Sequence, residues 1–216
     1  MINKLHPHPY HFSLSKQLFD LCLSFLGLIV LFPFFIIIAI LIKLTSKGPV
    51  FFKQNRVGKN GVVFPIIMFR TMKVGAERLQ WRCRHLNEAD GPVFKIRDDP
   101  RFVGIGKSLA RTGLDEAPQF INVIKGEMSL VGPRPLPIKE ARKLTPIQKE
   151  RHLIKPGMTS SWVVKGSHSM KFEKWMQLDK EYVLKASFLK DLVILLKTLT
   201  IISKLVFRTI LRVFRT

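Results

Sequence analysis

From Leu18 to Leu44 the chain reads LFDLCLSFLGLIVLFPFFIIIAILIKL, 27 residues whose only charges, Asp20 and Lys43, lie near the two ends. No other stretch restricts the fold as strongly, because a run this long and this apolar is a membrane segment. It is longer than the apolar region of a secretory leader, and no small-residue cleavage site follows, so a retained anchor is expected. Pro33 stands in its middle, where a proline removes a backbone donor and crowds the preceding turn, and a kink or break is expected there. The arms on either side extend roughly 22 Å and roughly 18 Å, each short of a hydrocarbon core of about 30 Å. Two readings stay open: one kinked, tilted span, or a re-entrant pair of half-helices. Basic residues flank both ends, Lys4 and Lys16 before, Lys43, Lys47, Lys53 and Arg56 after, and this favours two cytoplasmic flanks.

After the anchor, residues 49 to 72 hold two β-prone runs joined through Asn60-Gly61, a dipeptide that accepts positive φ, and predict a hairpin. Residues 73 to 100 read as a polar loop. Apolar spacing from Leu109 to Ile124 predicts a helix, with Thr112 or Gly113 as its cap and Gly126 as its stop. VGPRPLP, residues 131 to 137, has three prolines in seven positions and must be stiff and extended, which presents Arg134 with little freedom. Toward the C-terminus Lys190, Lys197, Lys204, Arg208, Arg212 and Arg215 share a helical arc of about 80°, with apolar residues around the rest. This describes a helix lying in the interface with its cations toward anionic head groups, with a core helix bearing one solvated face as the alternative.

The expected fold is therefore α+β, mainly α. A tail (1–16) precedes the membrane segment (17–45), a catalytic domain with a small β-hairpin (46–184) and an amphipathic interfacial helix (185–216).

With 36 Lys and Arg against 15 Asp and Glu, the net charge of +21 points to a polyanionic partner: nucleic acid, anionic lipid or phosphorylated small molecules. Nucleic acid fits poorly, since most Phe residues lie in apolar runs rather than among the cations. Two cysteines, Cys22 and Cys83, suggest neither a disulfide framework nor a metal site. His6, His8 and His11 are expected to be exposed in a mobile terminus, and Trp162 and Trp175 to be packing residues or interfacial anchors.

Against this cationic background RTGLDEAPQF, residues 111 to 120, sets Asp115 beside Glu116. Acids in the first turn of a helix complement the macrodipole and need no further purpose. A chemical reading exists beside that one. Lys107, Arg111, Lys125 and Arg134 are close in sequence, and an Asp kept ionised in such a field can attack phosphorus. Neighbouring helical side chains diverge, so Glu116 would have a separate task, such as holding Mg²⁺ with the substrate phosphates.

The motifs DLCLSFLGLIVLFPFF, TSKGPVFFKQNRVGKNGVVF, FRTM, DPRFVGIGKSLARTGLDEAPQFINVIKGEMSLVGPRPL, KPGMT and MQLDKEYVLKASFLKDLVILLKT, spread from about residue 16 to 198, resemble the bacterial sugar transferase family, monotopic polyprenyl-phosphate phosphoglycosyl transferases. The resemblance implies a re-entrant helix-break-helix at Pro33, on the cytoplasmic face of a bacterial inner membrane. It implies that Asp115 attacks the sugar-bearing phosphate of a UDP-sugar, that UMP leaves, and that undecaprenyl phosphate takes the phosphosugar from the aspartate. Glu116 corresponds to the family's Mg²⁺-associated acid. Arg134, between Pro133 and Pro135, matches a residue expected at the nucleotide diphosphate, with Arg70 of FRTM and Arg111 as further phosphate-binding candidates. The chain departs from the family pattern at Met68, Ala110, Gly113 and Ser160. A non-catalytic membrane scaffold with the same fold is the rival reading.

Overall fold

The computed structural model describes residues 5–166 and 170–213. Helix α1 (Leu14–Thr45) opens at Ser13, whose hydroxyl accepts from the Lys16 amide, and continues in helical conformation through Pro33. The break expected at Pro33 is absent as a break. Proline's fixed φ suits a helix, so the segment stays helical although the lost N–H and the crowded carbonyl cost about 3 kcal/mol. The helix meets the rest of the protein near both ends. Asp20 accepts from the Leu130 amide at 3.2 Å. A Cβ on Gly27 would lie 2.9 Å from the Phe120 ring, so only glycine lets the two segments touch. Further on, Phe35 meets the Phe69 ring edge-on, Ile38 and Ile42 are buried with Phe69 and Leu109, and Gly104 abuts Thr45. The outer side of α1, including Phe25, Ile29, Val30, Phe32, Phe34, Ile37 and Leu44, is exposed apolar surface.

Strands β1 (Phe51–Val57) and β2 (Val63–Phe69) form the expected hairpin, paired from Phe51 with Phe69 to Val57 with Val63. Asn60 at φ 54° and Gly61 at φ 81° make its turn, which explains that dipeptide. Later come β3 (Ser129–Val131), β4 (Leu136–Pro137) and β5 (Gly157–Thr159). β4 adds antiparallel to β1, and β3 pairs parallel with β5. The other edge of β2 is closed by Asn122, fully buried. Its side-chain oxygen accepts from the Ile67 amide at 3.0 Å, and its amide group donates to the Pro65 carbonyl at 2.8 Å.

The stretch expected to be one helix over Leu109–Ile124 is three pieces. Helix α2 (Gly106–Thr112) ends at Gly113 (φ 77°), a 3₁₀ turn runs over Leu114–Gln119, and α3 (Phe120–Ile124) follows. Gly126, also at φ 77°, stops it as expected. Within the expected loop over residues 73–100 lies a 3₁₀ segment, Ala76–Leu86. A short α4 (Ile138–Ala141), a 3₁₀ turn (Gln148–Leu153), α5 (Phe172–Lys185) and α6 (Phe188–Val213) complete the chain. Trp162 and Trp175 stack at 4.2 Å inside a core with Leu136, Phe172 and Leu178, so they are packing residues.

Over its described residues the N-terminal tail is docked on α5. The His8 amide donates to the Val183 carbonyl, and His11 Nε2 reaches the Tyr182 and Val183 carbonyls at 3.2 and 3.1 Å. His11 is half-buried, correcting the expectation of an exposed side chain, whereas His6 and His8 are exposed. On α6, Asp191 and Ile194 face inward. Lys190 pairs with Glu181 at 3.1 Å, so the cationic stripe is not wholly without an acid opposite. Lys197, Lys204 and Arg208 are exposed, as are Val193, Leu196, Leu199 and Phe207; Arg215 lies outside the described residues.

Candidate active site

Gly113 creates the site's local geometry. Its left-handed backbone ends α2 and turns the chain straight into the 3₁₀ segment, whose first turn carries Asp115 and Glu116. Successive residues of a 3₁₀ helix diverge by about 120°, so the two carboxylates cannot share one proton face to face. They have different surroundings. Glu116 receives Arg134 at both oxygens, Nη1 at 3.1 Å to Oε2 and Nη2 to Oε1, the two-point pairing that a guanidinium fork provides. Among the described residues Asp115 has no such side-chain partner; the nearby backbone amides of Asp115 and Glu116 only slightly favour its ionised form.

That difference governs the charge on Asp115. Burial, and then the neighbouring Glu116, push its pKa up to about 7, and the field of Arg134 offsets only part of this. Asp115 is therefore a more basic carboxylate than its cationic sequence neighbours imply. Arg134 is committed to Glu116, and the adjacent acid gains little from it. An aspartate poised near neutrality is a more basic nucleophile once deprotonated than one at the usual carboxylate value.

Arg134 is itself held by its backbone. The Pro133 carbonyl accepts from the Gly157 amide at 3.0 Å, the Arg134 carbonyl from Arg151 Nη2 at 2.8 Å, and the Pro135 carbonyl from Arg56 Nη1 at 3.0 Å. Arg151 is anchored in turn by buried Asp179 at 2.8 Å. Three consecutive carbonyls are thus fixed from β5, from the 3₁₀ turn at 148–153 and from β1. The side chain between the two prolines is aimed with little freedom, as the sequence implied. Pro133 and Pro135 are buried and supply stiffness rather than contacts.

The other two arginine candidates lie elsewhere. Arg70 is buried, with Nε donating to the Pro49 carbonyl at 2.6 Å, Nη1 to Lys47 at 2.8 Å and Nη2 to Ser46 at 3.0 Å. It clamps the chain leaving α1 and does not present its donors to a phosphate. Arg111 pairs at 2.5 Å with Asp98, which also takes Lys107 at 3.0 Å. Residues that the sequence reading passed over stand closer to Arg134. Burial and the Arg134 charge lower the pKa of both Arg56, to about 10, and Lys95. Glu140 is raised by burial, although Arg56 and Arg134 act on it in the other direction. The charge excess near β1 and the prolines was visible in the sequence, but its convergence on Arg134 depends on the β1–β4 pairing.

Among the described residues, no group of three or more His, Cys, Asp or Glu could enclose a metal ion. The available donors, two adjacent carboxylates, suit Mg²⁺, which keeps several waters and shares substrate phosphate oxygens, and do not suit a structural zinc.

The site thus joins a half-exposed acid pair, a fixed arginine and a cationic surround near a long apolar helix. Residues 11–205 match the bacterial sugar transferase family, and the chain belongs to it. It is 37% identical over 196 residues to the galactosyl transferase CpsE of Streptococcus agalactiae, covering 90% of this chain and 43% of that protein. It is 35% identical over 192 residues to the exopolysaccharide production protein ExoY of Sinorhizobium fredii, covering 87% and 84%. Identity with the UDP-glucose:undecaprenyl-phosphate glucose-1-phosphate transferase of Escherichia coli is 37% over 194 residues, covering 86% and 39%. This chain thus spans less than half of the first and third relatives and most of the second.

Proposed function

We propose that the protein transfers a sugar-1-phosphate from a UDP-sugar to undecaprenyl phosphate in the making of a lipid-linked polysaccharide. The observation that carries the reading is the unequal treatment of the two acids: Arg134 engages Glu116 at both oxygens and leaves the adjacent Asp115 as the basic carboxylate. An Asp115 oxygen attacks the phosphorus that bears the sugar. The bond from that phosphorus to the bridging oxygen breaks, and UMP leaves with the electron pair. An oxygen of the polyprenyl phosphate then attacks the same phosphorus, and Asp115 departs as a carboxylate. Arg134 orients the diphosphate with the guanidinium N–H groups that Glu116 leaves free, with Arg56 and Lys95 adding positive field. Glu116, with Asp115 beside it, would hold Mg²⁺, which neutralises the diphosphate charge when bound.

The names of the relatives support the donor and acceptor classes, since the Escherichia coli enzyme is named for UDP-glucose and undecaprenyl phosphate. The contacts of α1 support a monotopic placement at the cytoplasmic face of the inner membrane. Asp20 near one end and Thr45 at the other both touch the catalytic domain, which a helix delivering its ends to opposite sides would not allow. Exposed apolar side chains and exposed cations together on α6 support an interfacial role on anionic lipid.

The test is UMP release from candidate UDP-sugars with Mg²⁺ and undecaprenyl phosphate, joined to mass spectrometry of the trapped protein. The expected adduct is a phosphosugar on Asp115. Release by Asp115→Asn equal to the parent protein would overturn the mechanism and favour the scaffold reading.

A further inference from the structure

A second cavity, of about 120 Å³, lies at the N-terminal end of α1, away from the Asp115–Arg134 pair. It is lined by Lys16, Lys59 and Lys155, which arrive from three elements: the first turns of α1, the turn of the hairpin and the segment before β5. Only one acid, Asp20, faces it, and that acid is already engaged. Asp20 Oδ1 takes Lys16 Nζ at 2.9 Å and the Leu130 amide at 3.2 Å. Lys16 also pairs with Asp191 at 2.7 Å, which in turn accepts from Tyr10 and Tyr182. The charges of α1 and α6 are thus matched to each other. Lys59 and Lys155 are not matched, since no carboxylate pairs with either among the described residues. Lys59 Nζ lies 4.5 Å from the centre of the Phe12 ring, and Lys155 is half-buried, its pKa lowered by that burial. Two half-buried ammonium groups facing one cavity with no carboxylate paired to either leave a gap in charge that a ligand can fill.

The rim indicates what kind of ligand fits. Phe12 lines the cavity and is itself exposed, and Leu14 and Leu18 next to it are exposed apolar residues on α1. The cavity therefore opens beside the apolar surface of the membrane helix. We infer that this pocket is an anion site for a phosphate group, held by Lys59 and Lys155, and that a phosphate at a lipid head group reaches it from the adjoining leaflet. At about 30 Å³ per water, the volume accommodates a tetrahedral oxyanion with a few of its waters. The inference does not depend on which acid is the nucleophile, and it concerns a different set of residues.

The experiment uses the full chain in phosphatidylcholine nanodiscs doped with phosphatidic acid, with native mass spectrometry counting the phosphatidic acid retained. Lys59→Gln/Lys155→Gln is expected to reduce retention about tenfold, the scale of two lost charge-assisted contacts. Lys197→Gln/Lys204→Gln, which removes equal charge from α6, and Lys59→Arg/Lys155→Arg, which keeps the charge, should both retain the lipid. In a parallel arm, the detergent-solubilised chain is melted with inorganic phosphate. A lysine-dependent rise in Tm without lipid retention makes free phosphate the source, and lipid retention without such a rise makes it the head group; either result supports the pocket. Equal behaviour of the Gln pair and the parent protein in both arms overturns the proposal. So does loss of binding in the Arg pair. Should the double Gln variant fail to fold, the single substitutions give the same comparison.

Discussion

Two clusters of charge in this protein use acids in opposite ways. At the start of α1, every acid is matched: Asp191 takes Lys16, Tyr10 and Tyr182, while Asp20 takes Lys16 and a backbone amide. These groups are buried and tie the membrane helix, the N-terminal tail and α6 into one knot. At the end of α2, only one of two adjacent acids is matched by a side chain, and the other is left basic in a half-buried setting. A fully matched cluster fixes geometry, and a partly matched one retains reactivity. Stability and chemistry are therefore carried by different clusters.

The largest expected effect breaks the reactive cluster alone. Asp115→Asn should lower UMP release on the order of 10³-fold or more with little change in Tm, because it removes a nucleophile and no ion pair. The converse substitution, Asp191→Asn, should cost about 1–3 kcal/mol of stability, since buried Lys16 keeps Asp20 but loses one of its two carboxylates. Thermal melting in one detergent, alongside activity at a temperature well below the transition, separates the two outcomes. Arg134→Lys replaces a fork by a point charge and should reduce UMP release about 10- to 100-fold while leaving Tm near the parent value. Arg70→Lys gives the reverse pattern, an unchanged KM for the donor and a stability loss of about 1–3 kcal/mol, because Arg70 donates to three backbone carbonyls.

The smallest effect concerns His152. Burial, then the charges of Arg151 and Lys149, lower its pKa to about 4, and its Nε2 is buried without a partner. A folded pKa below the unfolded value of about 6.5 gives stability that is present above pH 6.5 and is lost as pH falls through 4. Asp179, raised to about 6 by burial, acts in the opposite sense, its contribution being lost as pH rises through 6. Comparing His152→Gln with the parent isolates the histidine. The variant should lose less Tm between pH 7 and pH 4.5.

Much of the local structure was legible in the sequence because it depends on near neighbours. The apolar run, the Asn60-Gly61 turn, the Gly126 stop and the stiff segment around Arg134 each follow from a few adjacent residues. What could not be read there depends on partners far along the chain. Arg70 looks like a phosphate ligand until its contacts with residues 46 to 49 are seen, and Arg111 until Asp98 is found beside it. His11 looks exposed because nothing nearby indicates that its ring will pack on Tyr182. Gly113 is a cap, as expected, but it separates α2 from the 3₁₀ turn, and the single helix expected there is three pieces because apolar spacing continues on both sides of the interruption. Pro33 is the opposite case: a strong local signal predicts a kink or break, and the chain stays helical through it.

The close approach of Gly27 to the Phe120 ring has a mechanical consequence. With no Cβ between them, the membrane helix bears directly on the start of α3, next in the chain to the 3₁₀ turn that carries the acids. Turnover should then track the thickness of the host bilayer: lipids that lift or sink α1 by a few ångströms carry the reaction toward or away from the plane where a lipid phosphate resides. A bulkier residue at position 27 would loosen that linkage and make turnover less sensitive to acyl-chain length.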